Sequence, residues 1–308
     1  MNTSRAILLK LGSVAGFVSM SSLIKAASDG IPPGEAVFFR SLFAIPVILL
    51  WLKIDGNLRR GLRTQNPLGH LWRGLVGTAA MGLNFSALGM LPLPEVTAIF
   101  FAAPILTVIF AAMFLGEQVR AFRLAAVALG MVGVLIILSP RLTALSEGEL
   151  SSTQTLGAML ALMAATFAAL AKIFVRKLVG TEHPATIVFY FSLTATALSL
   201  FTLPFGWVVP TPTQALFLIL AGIIGGVSQG LLTTAFRHAD ASMIAPFDYA
   251  SMLLALVIGY FVFSEVPTGP MLAGAALVIA AGILIIWRER QLGLDRKTPG
   301  QAMTPGGQ

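Results

Sequence analysis

Four charged side chains stand inside long apolar runs of this chain, Lys25, Arg40, Lys172 and Asp248, and Glu95 stands at the edge of another. A charge at the centre of a hydrocarbon layer costs ~2.5–3.5 kcal/mol or more, so such residues serve pairing, a polar pathway or proton relay. Arg40 lies about two turns into its run, where it contacts the polar edge of a cargo, pairs with Glu95, or locks helices as a structural ion pair. Lys172 has Asp248 as its natural partner, and Lys25 has Glu35 or Glu95. Each such pair would act as a gate that opens only when its members separate. The plainer alternative is that both lysines snorkel to the nearest interface. Asp248, flanked by Phe247 and Tyr249 and following Pro246, is placed to bind a proton, a cation or hydroxyl groups. Asn84, Tyr190 and Gln229, with Ser228, Thr233 and Thr234, supply uncharged hydrogen bonds, or else serve ordinary interhelical bonding. Glu117 and Glu265 read as helix-end residues.

These residues do not make an enzyme. There is no cysteine, hence no disulfide, thiolate ligand or cysteine nucleophile. The 3 histidines, His70, His183 and His238, are scattered, so no metal site is expected. No Gly-rich loop ends in Lys-Ser or Lys-Thr, which argues against a built-in ATPase. No clustered His, Asp or Glu triad stands at one depth. Catalytic residues and resident cofactors are therefore not expected.

The elements that must hold the charged residues are helices of membrane-spanning length. Of 308 residues 56% are hydrophobic and 11% charged, too little charge to cover a soluble domain of that size. An all-α fold is expected, a polytopic membrane protein of ten spans. They run from about Ala6 to Ala27, Gly34 to Leu52, Leu68 to Met90, Val96 to Leu115, Phe122 to Leu138, Leu156 to Val175, Ala185 to Pro204, Ala215 to Phe236, Met243 to Phe263 and Met271 to Trp287. Pro104 and Pro246 are expected to interrupt helical hydrogen bonding in the fourth and ninth. Counting Lys and Arg in alternate loops puts 16 of 20 on the side of the two termini, Lys10 and Arg73 among them, which predicts cytoplasmic termini. The net charge of +7 thus sets topology and meets lipid headgroups rather than nucleic acid. Trp51, Trp72, Trp207 and Trp287 fall at span ends, as an interfacial belt requires. Lys25 and Asp29, without a small-residue cleavage pattern, mark the first run as a retained span.

The chain aligns on itself. Lys25 falls on Lys172 at an offset of 147, Gly77 on Gly225, Gly82 on Gly230 and Glu117 on Glu265 at 148, and Phe38 on Phe189 at 151. GVLIIL from Gly133 matches GILIIW from Gly282. The unit repeated has five spans, an odd number, so the second copy must enter the membrane inverted. Inverted repeats are the architecture of secondary transporters, with cargo near the midplane between halves that rock. The expected organisation is a first repeat over 1–138, a connecting loop over 139–155 outside the cytoplasm, a second repeat over 156–288 and a disordered cytoplasmic tail over 289–308. Gly222, Gly226 and Gly230 repeat every fourth residue and read as a close helix-packing stripe.

The short spans, the repeat, the run VFFRS from Val37 to Ser41 and the pair Gly116 and Glu117 resemble EamA-type members of the drug/metabolite transporter superfamily. Within it, SSLIKA and IPPGEAVFFRSLFAIPVI, from Ser21 to Ala26 and Ile31 to Ile48, resemble bacterial inner-membrane riboflavin transporters. The resemblance implies a pathway bounded by spans one to four and six to nine, with five and ten peripheral. It also implies movement of a small metabolite without ATP hydrolysis, riboflavin first and amino-acid or S-adenosylmethionine-like metabolites as the alternative. Phe38, Phe39, Phe85, Phe100, Phe101, Phe189, Phe236 and Phe247 offer faces for a flat ring such as isoalloxazine. The mixture of Lys25, Arg40 and Lys172 with Glu35, Glu95 and Asp248 points to a neutral or zwitterionic cargo. Beyond that cargo and lipid, a homodimer stays open as a partner.

Overall fold

Proline opens many of these helices because its missing N–H is one of the donors a first turn leaves unpaired anyway. Pro33, Pro67, Pro184 and Pro212 each stand in the first turn of a helix. Side-chain caps add to this at Asn66, whose side chain accepts from Gly69 N, and at Thr211 with Gln214, which form a capping box. The computed structural model describes residues 3–56, 58–116, 125, 128–133, 135, 136, 139, 152–244, 247, 248 and 250–295.

In chain order the helices are α1 (Thr3–Ala27), α2 (Pro33–Ile54), α3 (Leu58–Gly61), α4 (Pro67–Met90), α5 (Leu93–Phe100) and α6 (Ala102–Leu115). They continue as α7 (Ser152–Leu178), α8 (Pro184–Leu200), α9 (Pro212–His238), α10 (Ala241–Ile244), α11 (Ala250–Phe263) and α12 (Gly269–Asp295). Among the described residues there is no strand. Among the described residues, five segments are long and apolar enough to cross a membrane: Arg5–Ala27, Pro33–Ile54, Leu93–Leu115, Thr153–Leu178 and Pro212–His238. Pro184–Leu200, Ala250–Phe263 and Gly269–Ala281 are shorter apolar helices. α4 is of spanning length but carries His70, Arg73, Asn84 and Ser86, which dilute its apolar character.

Several boundaries differ from expectation. The fourth span is two helices, α5 and α6, meeting at Phe101, because Pro104 in the first turn of α6 has no N–H to donate backwards. The ninth is likewise divided: α10 ends at Ile244, Phe247 and Asp248 form a tight 3₁₀ turn, and α11 starts at Ala250. The final helix runs to Asp295, so the first residues of the expected disordered tail, 289–295, are helical. α7 starts at Ser152, so the end of the expected 139–155 connection is helical too. Glu117, Pro246, Tyr249 and about half of the expected fifth span lie outside the described residues.

The two halves of the chain interleave. α9 lies against α1 and α2, α4 lies against α7 and α8, and α8 also lies against α2. Small residues permit this: a Cβ on Gly222 would come to 2.6 Å of the Phe43 Cβ, and one on Gly226 to 3.0 Å of the Ala44 Cβ. The glycine stripe therefore brings α9 onto α2, with buried Ala44 and Ile48 of α2 behind it.

Candidate functional site

A cavity of about 220 Å³ lies where the halves meet. Its walls come from α1, α2, α4, α5 and α6 of the first half and from α7, α8, α9, Asp248 and α11 of the second. Every expected pathway span contributes. Most of the lining is apolar, with Phe17, Phe85, Phe100, Phe101, Phe191 and Phe236 presenting aromatic surface. Of the phenylalanines expected there, Phe38, Phe39, Phe189 and Phe247 are not in the wall; Phe38 packs on Phe39 and Trp207 instead.

Two charged clusters interrupt the apolar wall. In the first, Asp248 accepts from two lysines at once: Lys10 Nζ at 2.6 Å on Oδ1 and Lys172 Nζ at 2.7 Å on Oδ2. The 3₁₀ turn that places Asp248 between α10 and α11 lets one carboxylate reach both α1 and α7. Lys172 thus takes the partner read from the sequence. Lys10 does not sit in a cytoplasmic loop: it is 2% exposed inside α1. Two lysines around one carboxylate leave the cluster net positive.

In the second cluster, Arg40 of α2 and Arg73 of α4 lie over the same ring, Phe191, at 5.4 and 4.0 Å from its centroid. Arg40 donates from Nη2 to the Gly225 carbonyl at 3.2 Å, and so is not paired with Glu95 as one sequence reading had it. Arg73, counted from sequence with the cytoplasmic loops, is buried 4% exposed within α4. The Nε and Nη1 atoms of both arginines are buried without a hydrogen-bond partner. Stacking on an aromatic face returns up to ~2 kcal/mol for a desolvated cation, whereas each buried unsatisfied donor costs ~1–3 kcal/mol or more when charged. The repeat-mate glycines make room for these guanidinium groups. A Cβ on Gly225 would lie 2.9 Å from Arg40 Nε, and one on Gly77 would run into Arg73 Nη1 and the Phe191 ring.

The remaining candidates divide. Asn84 and Gln229 line the cavity. Ser228, Thr233 and Thr234 donate to the carbonyls of Ile224, Gln229 and Gly230 in their own helix. Tyr190 lies outside the cavity wall and donates to the Leu62 carbonyl at 2.9 Å. Phe247 is buried next to Asp248 but does not line the cavity, and Tyr249 lies outside the described residues. Glu35 accepts from Val208 N and Glu95 is buried in the first turn of α5; neither lines the cavity. Lys25 pairs with neither: its Nζ is 3.3 Å from Glu265 Oε1 and donates to the Leu91 carbonyl at 2.9 Å. Glu265 also accepts from Leu93 N, so this carboxylate ties the end of α11 to α1 and α5. Sequence spacing could not pair Lys25 with Glu265, because nothing local links residues that far apart in the chain.

Among the described residues no group of His, Cys, Asp and Glu could hold a metal ion.

Comparison with known proteins gives a consistent picture. The model of the EamA-like transporter family matches twice, over residues 4–139 and 155–287. A pseudopaline exporter of Pseudomonas aeruginosa is 30% identical over 91% of this chain and 95% of its own length. A riboflavin transporter of Rhizobium johnstonii is 31% identical over 84% of this chain and 82% of its own. An S-adenosylmethionine uptake transporter of Rickettsia bellii is 30% identical over 83% and 84% respectively. A crystal structure of 22% sequence identity superposes with a TM-score of 0.75, covering 94% of this chain and 99% of the other, and shares the fold.

Proposed function

The chain belongs to the EamA-like transporter family of the drug/metabolite transporter superfamily, and from that premise we propose that its central cavity carries a small metabolite across the inner membrane by rocking of inverted halves. It is a multi-pass membrane transporter of small molecules and not an enzyme. The observation that supports this reading is the cavity itself, bounded by both repeats and lined by Arg40, Arg73, Lys172 and Asp248 in an otherwise apolar wall. In the proposed orientation both termini are cytoplasmic, Lys172 with Asp248 closes the inner end, and Lys25 with Glu265 closes the outer end. Both pairs are formed here, so opening either side costs the separation of one half-buried pair.

Two substrate readings stand. Riboflavin uptake is supported by the phenylalanine-rich wall and by relatives named as riboflavin transporters. A carboxylate-bearing metabolite of the amino-acid type is supported by one specific observation, the excess of cationic over anionic groups in the wall. A relative is named as an S-adenosylmethionine transporter, but that cargo's sulfonium and ammonium leave it a net cation, which this wall repels. The geometry favours the amino-acid type. The test is uptake of labelled riboflavin and of a labelled aromatic amino acid by cells that lack their own synthesis of each. Rescue by the chain with the amino acid and not with riboflavin is expected, and rescue with riboflavin alone reverses the choice.

A further inference from the structure

We infer that Arg40 and Arg73 form an anion subsite that grips the carboxylate of the cargo, with its flat apolar body laid against the phenylalanine wall. The inference rests on the reading of the cavity as the transport site and sharpens it to a substrate class.

Both guanidinium groups border the cavity, at 1% and 4% residue exposure, and each leaves Nε and Nη1 without a protein acceptor. Among the described residues no carboxylate lies within ion-pair distance of either arginine, whereas Lys10, Lys25 and Lys172 all have one. Two like charges on one ring repel each other, so the empty site is an arrangement that an anion relieves. A carboxylate accepts from several guanidinium donors at once and is planar as they are, which makes the bond geometrically selective. The Phe191 ring lies against both guanidinium groups.

The repeat gives the subsite a further mark. Val37, Phe38, Phe39, Arg40 and Ser41 align with Val188, Phe189, Tyr190, Phe191 and Ser192 at the offset of 151, so Arg40 and the ring it lies on occupy equivalent positions. The charge is present in one repeat only. The apolar mate serves as its platform, and Gly77 and Gly225 keep the space beside both arginines open. A purely structural arginine at this place would have a carboxylate or a set of carbonyls around it, as Arg176 has Asp240 and the Phe236 carbonyl.

The test uses the purified full chain in detergent, with indole-3-acetate and indole-3-acetamide as probes that share a flat ring and differ only in the carboxylate. The acid is expected to raise the thermal midpoint by ~2 °C or more and the amide not to. Arg73→Gln and Arg40→Gln should each weaken the response to the acid at least tenfold in concentration. The empty Arg73→Gln protein should melt above the wild type, since a buried like charge is removed. Equal responses to acid and amide, no response to either, or an acid response that survives in both variants overturns the subsite. The comparison of the two probes on the wild type stands even if a variant does not fold. Flux of labelled metabolite through proteoliposomes without any response to the acid removes the subsite and leaves transport standing. A response to the acid in a chain that moves neither labelled riboflavin nor the labelled amino acid removes both substrate readings and leaves the subsite standing.

Discussion

Asp248 carries more of the site than any other side chain, because its two oxygens each accept from a lysine on a different helix. Asp248→Asn leaves Lys10 and Lys172 buried as like charges, and the loss expected for breaking a buried pair is ~3–5 kcal/mol. Thermal unfolding in detergent should show that loss, and adding Lys10→Met to Asp248→Asn should recover part of it; a double variant no more stable than the single one would contradict the shared-carboxylate geometry. The Lys172 and Asp248 pair was legible in the sequence because both charges interrupt apolar runs. Lys10 and Arg73 were not, because counting basic residues near span ends assigns them to loops, while helix geometry turns them inward. The signal available for Arg73 was local: Gly74 and Gly77 follow it, and small residues beside a large cation mark room for the cation rather than a lipid-facing end.

At the scale of elements, the turns between helices do structural work that the helices alone do not announce. Glu182, between α7 and α8, accepts from Thr64 Oγ1 at 2.6 Å, Gln65 N at 2.7 Å and Asn66 N at 3.2 Å, which fastens the start of α4 to the second half. Burial works against its charge, yet these donors and nearby His70 prevail and hold the carboxyl below its ordinary value of 4.5. Because folding depresses this pKa, the stability it contributes is complete above the unfolded value and fades as pH falls through the folded one. Glu182→Gln should therefore lower the midpoint at neutral pH and lose less on acidification than the wild type. Parallel curves for the two proteins from pH 7 to about 3 would count against the latch. The breaks at Phe101 and around Asp248 were foreseeable, since Pro104 and Pro246 announce them in the sequence. The pairing of Glu182 with the turn before α4 was not, since it depends on how two loops far apart in the chain meet.

For the whole molecule, a period near 148 residues was enough to expect a duplicated helical membrane protein, and the family model matches the chain twice. What the period could not disclose is which faces the copies turn to each other. That depends on α9 settling between α1 and α2 through its glycines and on α4 meeting α7, contacts set by side-chain volume rather than by hydropathy. The charge of the cavity followed from the same geometry. Glu35 and Glu95, counted toward a balanced pathway, do not line it, and two arginines with no ion-pair partner among the described residues do. The measurement that bears most directly on the account is counterflow of a labelled aromatic amino acid in proteoliposomes made with the wild type and with Ala80→Trp, which puts an indole into the cavity from α4. The wild type should exchange label across the bilayer and Ala80→Trp, inserted and folded, should not. Exchange at the same rate by both proteins would contradict a pathway through this cavity.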